Sequence, residues 1–239
     1  MKKIAKKLLK GIINSIGFNI TRARGNLDVN KFKWLQELNI RTVIDVGGSK
    51  GNASLHFHSL FPKAKIYAFE PLRDCFQIMN DKMKHISNFK SFNIALSDTK
   101  GQDIIHRSSY SGCSSLRKME DIHKNAFPIT AGERDEVIQT DTMDNALEQY
   151  PLEDNILVKI DVQGLEDKVI AGGIKTLQQA KVAIIETSFV ELYKGQSLFN
   201  EICGLLSNLG FRYSGAWDPD LKNPLDGASL QQDSIFIKL

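Results

Sequence analysis

The sequence predicts an α/β fold: one sheet of seven mostly parallel strands, helices on both faces, the last strand antiparallel, and a β-hairpin inserted after strand 3. Three observations carry this. Short apolar runs rich in β-branched residues alternate with segments of helical spacing from about residue 40 onward. Four of those runs end in an acid, at Asp45, Glu70, Asp161 and Glu186. The alternation breaks once, where 102–107 and 134–142 both read as alternating strands around a long polar stretch, the signature of a hairpin carrying a loop.

Taken in order, residues 1–16 place Ile4, Ala5, Leu8, Leu9, Ile12, Ile13 and Ile16 at helical spacing with lysines opposite. Such a basic amphipathic helix reads as one packed on the domain with its lysines solvated, because apolar stripes usually face a protein core. The alternative is a peripheral contact with an anionic membrane surface, at the inner face of a membrane. A second helix is expected from Asp28, a good N-cap, to about residue 38. Residues 1–39 thus form a helical extension and 40–239 one domain.

Within that domain the expected order is strand 41–46, helix 52–60, strand 64–70, helix 72–84 and strand 89–96, followed by the hairpin. Helix 142–149, strand 155–161, helix 164–171, strand 181–187 and helix 198–209 come next, the last stopped by Gly210. Strands 211–216 and 233–238 follow with no helix between them, which permits an antiparallel pair.

The bulk numbers narrow the classes. A chain of 239 residues buries a core without disulfide support, and Cys75, Cys113 and Cys203 are odd in number, widely spaced and without a C-x-x-C pair. A reduced, cytoplasmic setting fits, and a cysteine-ligated zinc site does not. No apolar run reaches the length of a membrane span. Residues 1–27 hold seven basic residues and no acid, which leaves a net −4 on the remainder against +3 for the chain. A nucleic-acid enzyme is expected to carry a basic stripe on its main domain, and this one is mildly acidic.

The run Asp45-Val46-Gly47-Gly48-Ser49-Lys50-Gly51 joins the first strand to its helix, and Glu70-Pro71 closes the next strand. Glycine at a strand end lets backbone approach a ligand closely, and an acid on the next strand can accept hydrogen bonds from two ribose hydroxyls. That is a nucleoside site. A pyrophosphate turn wants G-x-G-x-x-G, whereas Ser49 occupies the place of the middle glycine. S-adenosylmethionine has no phosphate and tolerates the looser turn. An NAD-dependent oxidoreductase and a non-catalytic binding module remain open at this point.

The second half of the site is the strand end Lys159-Ile160-Asp161-Val162-Gln163-Gly164 together with Glu186. Ligands of open parallel sheets bind beyond the carboxyl ends of the strands, where all four acids fall. Like charges so clustered cost stability unless a cation, a proton or donors accompany them. Asp161 and Glu186 are candidate general bases, with Lys159 orienting them or lowering their pKa. Plainer readings make Lys159 the buried partner of a carboxylate, Asp161 a helix cap and Glu186 a backbone acceptor. Carboxylates of this kind could instead hold Mg²⁺, although Gln163 removes one hard ligand. Trp217 and Tyr213 can be read as a sugar-stacking pair or as packing.

These residues resemble the FkbM family of S-adenosylmethionine-dependent methyltransferases. The resemblance runs over about residues 40–190 and is carried by IDVGGSKG (44–51), AFEP (68–71), NIALSD (93–98), SSL (114–116), TDTMDNAL (140–147), LVKIDVQGLEDKVIAGG (157–173) and IIE (184–186). It implies a class I, Rossmann-like methyltransferase fold with S-adenosyl-L-methionine as cofactor. Asp45, Gly47 and Gly51, with Gly48 in the same turn, would surround the methionine moiety. Glu70, followed by Pro71, would bind the ribose, and the segment from Asn93 to Ala95 would lie against the adenine. Ser114 and Ser115 of the insertion, with Gln163, are expected beside a small-molecule or glycan hydroxyl acceptor. No metal is expected. The family usually has Glu where this chain has Gln163, and Ala-Asn where it has Gly48-Ser49.

Overall fold

The computed structural model describes residues 33–238. The amphipathic segment 1–16 and the Asp28 cap lie outside the described residues. Chain order begins α1 (Lys33–Glu37), β1 (Thr42–Val46), α2 (Asn52–Leu60), β2 (Lys65–Phe69), α3 (Arg73–Met83), β3 (Phe89–Phe92) and β4 (Ala95–Leu96). The insertion is β5 (Gly101–Ser108), α4 (Asp121–Ala126) and β6 (Glu133–Asp141). Then come α5 (Met143–Leu147), β7 (Ile156–Ile160), α6 (Glu166–Ala171), α7 (Ile174–Gln179) and β8 (Ala180–Ser188). The chain closes with α8 (Phe199–Asn208), β9 (Phe211–Ala216), β10 (Leu221–Lys222) and β11 (Ser229–Lys238).

The main sheet runs β11-β8-β7-β1-β2-β3, with β9 and the two-residue β10 both paired to β11. β1, β2, β3, β7 and β8 are mutually parallel, and β11 lies antiparallel to both β8 and β9. The expected seven strands with a reversed last one are therefore present, and β10 is an addition at the edge. β1 and β7 are buried at every position, as parallel strands covered on both faces must be.

Alternate residues of these strands feed two cores. Ile44, Val46, Val158 and Ile160 pack with Met143, Val169, Leu177 and Leu206 of α5 to α8. Val43, Leu157 and Ile66 pack on the other face with Leu35, Phe57, Leu60, Met79 and Met83 of α1 to α3. The same alternation sends Asp45 and Lys159, which are register partners, to the second face. Asp161 stands just beyond the end of β7, on the rim of the sheet.

The hairpin is as expected: β5 and β6 pair antiparallel from Gly101 opposite Thr140 to Ser108 opposite Glu133. The strand expected over 89–96 is two strands. β3 belongs to the main sheet, while β4 leaves it and pairs in parallel with β6 in a second, three-stranded sheet. Asn93 stands at the break, where its side-chain amide donates to the carbonyls of Glu70 and Pro71. α7 falls between the helix expected over 164–171 and the strand expected over 181–187, where no element is expected. A Cβ at Gly172 would stand 2.0 Å from the Ser97 carbonyl oxygen, so that glycine marks a close backbone crossing inside a helical region. Trp217 is 8% exposed against Phe57 and His56, and Tyr213 packs on Phe199 and Phe236. Trp217 is a packing residue, Tyr213 stays half exposed, and neither borders the cavity at the carboxyl ends of the strands.

Candidate active site

A cavity of about 1350 Å³ opens at the carboxyl ends of the parallel strands and is roofed by the insertion. Its floor begins with the glycine turn. The amides of Gly47 and Gly48 both donate to the Phe69 carbonyl, at 3.0 and 2.9 Å, tying the turn to the end of β2. Gly47 has φ +81°, and a Cβ there would stand 1.8 Å from the Asp161 carbonyl oxygen. Only glycine fits both conditions. Of the other two glycines, Gly48 and Gly51 face Met79 of α3, each within 2.9 Å of a built Cβ. They seat the turn on α3, and of the turn residues Gly47 and Ser49 border the cavity.

Asp45 supports the turn from the α2 side. Its Oδ2 accepts from the Ser54 hydroxyl at 2.5 Å, its Oδ1 is buried without a hydrogen-bond partner, and burial raises its pKa. Glu70 borders the cavity and is 5% exposed. Its Oε2 accepts the Ser49 amide at 2.9 Å and its Oε1 the Leu72 amide at 2.8 Å. Burial outweighs those two bonds and pushes the carboxyl up to about 7. Asn93 holds the Glu70-Pro71 bend through bonds of 2.9 and 2.8 Å, and Ile94 and Ala95, not Asn93, line the cavity beside Pro71.

The opposite wall is a polar knot. Lys159 Nζ donates to Asp161 Oδ2 at 2.8 Å and is itself 8% exposed, which is the buried-partner reading of that lysine. Gln163 Nε2 donates to Asp161 Oδ1 at 3.0 Å and to Glu186 Oε2 at 2.6 Å. Gln231 donates to the other Glu186 oxygen at 2.6 Å. The orientation of the Gln163 amide is set by the Tyr193 hydroxyl, which donates to its Oε1 at 2.7 Å. Burial would raise the Asp161 carboxyl, but the adjacent Lys159 ammonium and the hydrogen bonds it receives hold it below the usual range. Burial, then the charge of Asp161, pushes Glu186 well above it. The two carboxyls are driven apart, as in acid–base pairs.

Glu166 shapes the turn that presents Gln163. One of its oxygens accepts the amides of Val162 and Gly164, both at 3.1 Å, which fixes Gln163 between them at φ +58°. Burial pushes this carboxyl up to about 7 as well. From the insertion, Ser114 borders the cavity while its Oγ accepts the Ser108 amide at 3.1 Å. Ser115 is 1% exposed and donates to the Gln163 carbonyl at 2.6 Å, so it locks the insertion onto the β7–α6 turn. Arg117 adds a two-pronged bond to Asp167, 3.0 Å to each oxygen, and the Glu120 amide donates to Leu192 at 2.9 Å.

Sequence reasoning placed the four acids on one edge and missed Tyr193, Gln231, Glu166 and His123. Glu166 had a readable signal, an acid two residues after a glycine at a helix start. Tyr193 and His123 lie in stretches without periodicity, and only the fold brings His123 to the cavity and Tyr193 behind Gln163. Among the described residues, no group of three or more His, Cys, Asp or Glu side chains is placed to hold a metal ion. Nor is any helix among them long and apolar enough to cross a membrane.

Comparison with known proteins agrees with this geometry. The chain is 29% identical over 171 residues to the 2-O-methyltransferase NoeI of Sinorhizobium fredii, covering 69% of this chain and 70% of that one. It is 26% identical over 204 residues to the methyltransferase sdnD of Sordaria araneosa, covering 74% and 77% respectively. In fold it is similar to the crystal structure of methyltransferase FkbM from Methylobacillus flagellatus, with a TM-score of 0.53 at 10% identity. That likeness covers 83% of this chain and spans 44% of the other. The family model of the methyltransferase FkbM domain matches residues 45–213, from the buried aspartate of β1 to the middle of β9, a span that holds Glu70, Asp161, Gln163 and Glu186. The chain belongs to the FkbM methyltransferase family.

Proposed function

We propose that this methyltransferase uses S-adenosylmethionine to O-methylate a hydroxyl of a sugar or secondary metabolite. One observation carries the choice of cofactor: the cavity is bordered by Glu70, Asp161 and Glu186, and by no lysine or arginine among the described residues. Such a site suits a sulfonium cation and repels the pyrophosphate of NAD. The Ser49 amide, which a phosphate would need, is already given to Glu70. The residues present fit the nucleoside. Glu70 keeps lone pairs for two ribose hydroxyls, bare backbone at Gly47 admits the methionine end, and Phe69, Ile94, Ala95 and Leu72 offer an apolar slot for the adenine. Bound there, the cofactor would supply an electrophilic methyl group.

The chain's own part is to position the acceptor and take its proton. Positioning near attack distance is worth up to about 7–11 kcal/mol. A matched base adds roughly 10²- to 10⁴-fold. Asp161, ionised through the neutral range, accepts the hydrogen bond of the acceptor hydroxyl. Glu186, of higher proton affinity and bordering the same cavity, is suited to take the released proton directly from the acceptor or through a water, since the Gln163 amide between the two carboxyls donates to both and passes none. The insertion, locked by Ser115 and Arg117, excludes water. NoeI is named for 2-O-methylation, which favours an oxygen acceptor.

The test supplies methyl-labelled S-adenosylmethionine and an extract of hydroxylated metabolites to the wild type and to Asp161→Asn. Label should enter an ether-linked product with the wild type and fall at least 100-fold with the variant, while cofactor binding persists. Normal turnover by Asp161→Asn would remove Asp161 from the chemistry.

A further inference from the structure

The charge and shape of the cavity bear on the acceptor as well as the donor. Its outer wall, from the insertion and the β10 region, is apolar: Phe127, Pro128, Ile129, Leu116, Leu221 and Pro224 border it. Polar side chains are set among these, Ser114, Thr130 and His123 included. His123 is 3% exposed and borders the cavity, with its ring edge-on to Phe127 and Tyr193, and its Nδ1 is buried without a hydrogen-bond partner. That atom is shut off from the cavity, so what His123 presents to a ligand is the remaining edge of its ring.

The alternative is an acceptor carrying phosphate or carboxylate, and among the described residues no lysine or arginine borders the cavity to serve one. Lys50, Arg107 and Arg134 border an adjoining groove that shares Tyr110 and Ser111 with it. There Arg107 is bonded to Asp74 and to Glu136, and Arg134 approaches Glu136 at 3.8 Å. Lys159 is consumed by Asp161.

Resting on the methyl-transfer reading above, we infer that the acceptor is an uncharged hydroxyl compound with an apolar body, seated on Phe127 and Ile129 beside the His123 ring, and not a phosphorylated or nucleotide-activated sugar. Burial keeps that imidazole neutral, its pKa pushed down to about 4, so it brings no charge to the wall. In a reaction sequence, methylation then follows the glycosyl- or acyl-transfer step that discharges the activated group. A nucleotide-linked precursor would bring its phosphates up to Glu70, Asp161 and Glu186.

Calorimetric titration tests this with three probes below any micelle concentration: octyl β-glucoside, methyl β-glucoside and UDP-glucose, each added to the full chain with and without S-adenosylhomocysteine. Octyl β-glucoside should bind at least tenfold more tightly than methyl β-glucoside, and UDP-glucose should show no saturable binding. Ile129→Asp, at a site 67% exposed and so tolerant of charge, should weaken octyl β-glucoside at least tenfold. That variant should not alter S-adenosylhomocysteine affinity. Equal binding of the two glucosides, no binding of either, saturable binding of UDP-glucose, or indifference to Ile129→Asp would each overturn the inference. Absence of S-adenosylhomocysteine binding would instead refute the donor reading, and the glucoside comparison on the free protein would still decide the acceptor.

Discussion

Replacing Glu166 by Gln should make the protein more stable at pH 8 and alter the pH dependence of its folding in a calculable way. The carboxyl is 4% exposed and accepts two backbone amides through one oxygen, a role the Gln amide oxygen can repeat. What Gln removes is a buried charge. The folded-state pKa is raised from 4.5 to about 7, so the native state holds the proton more firmly than the unfolded chain does. The stability this contributes is fully present below 4.5 and is lost as pH rises through about 7. At about 1.4 kcal/mol per pKa unit, the loss between pH 5 and pH 8 is on the order of 2 to 3 kcal/mol. Urea denaturation of both proteins at pH 5 and pH 8 measures it, with shared contributions from other groups cancelling in the difference. The variant's stability relative to wild type should rise by that amount between the two pH values. A difference that stays constant from pH 5 to pH 8 would refute the assignment of Glu166 as a buried, raised carboxyl.

Other expectations bear on the site. Gly47→Ala puts a Cβ 1.8 Å from the Asp161 carbonyl at φ +81°; the left-handed strain alone costs about 1–2 kcal/mol, and thermal denaturation should show at least that loss together with weakened S-adenosylhomocysteine binding. Affinity for S-adenosylhomocysteine should rise from pH 5.5 to pH 8 as Glu70 ionises through about 7 and becomes the better acceptor for ribose hydroxyls; Glu70→Gln should flatten that profile in a calorimetric titration. Turnover should rise with pH as Glu186, whose carboxyl burial holds well above the usual range, loses its proton, and Glu186→Gln should lower kcat by about 10²-fold or more and abolish the rise.

Much of the fold was legible because its strands are central and parallel. A strand buried on both faces has to be apolar along its length, so 42–46 and 156–160 announce themselves, and an acid at the end of such a run is conspicuous. The glycine turn was legible for a related reason, since Gly47 answers to a backbone conformation and a collision that leave no alternative. Less visible was the division of labour among the glycines, because Gly48 and Gly51 are required by the side chain of Met79 rather than by a ligand. Asn93 illustrates the same limit: its position beside Ala95 was readable, but its partners are backbone carbonyls 22 and 23 residues away in sequence. Tyr193 and His123 left no trace in periodicity. They matter through contacts made when the insertion folds over the strand ends, with Met119 bridged to Tyr193 and Ser115 bonded to Gln163.

The central claim is that the carboxylate-lined cavity at the strand ends is a methyl-donor site. Titrating the protein with S-adenosylhomocysteine and, separately, with NAD tests it most directly. The account predicts saturable, one-to-one binding of S-adenosylhomocysteine, weakened at least tenfold by Glu70→Ala, and no binding of NAD. Saturable NAD binding that S-adenosylhomocysteine cannot displace, or S-adenosylhomocysteine binding indifferent to Glu70→Ala, would contradict it.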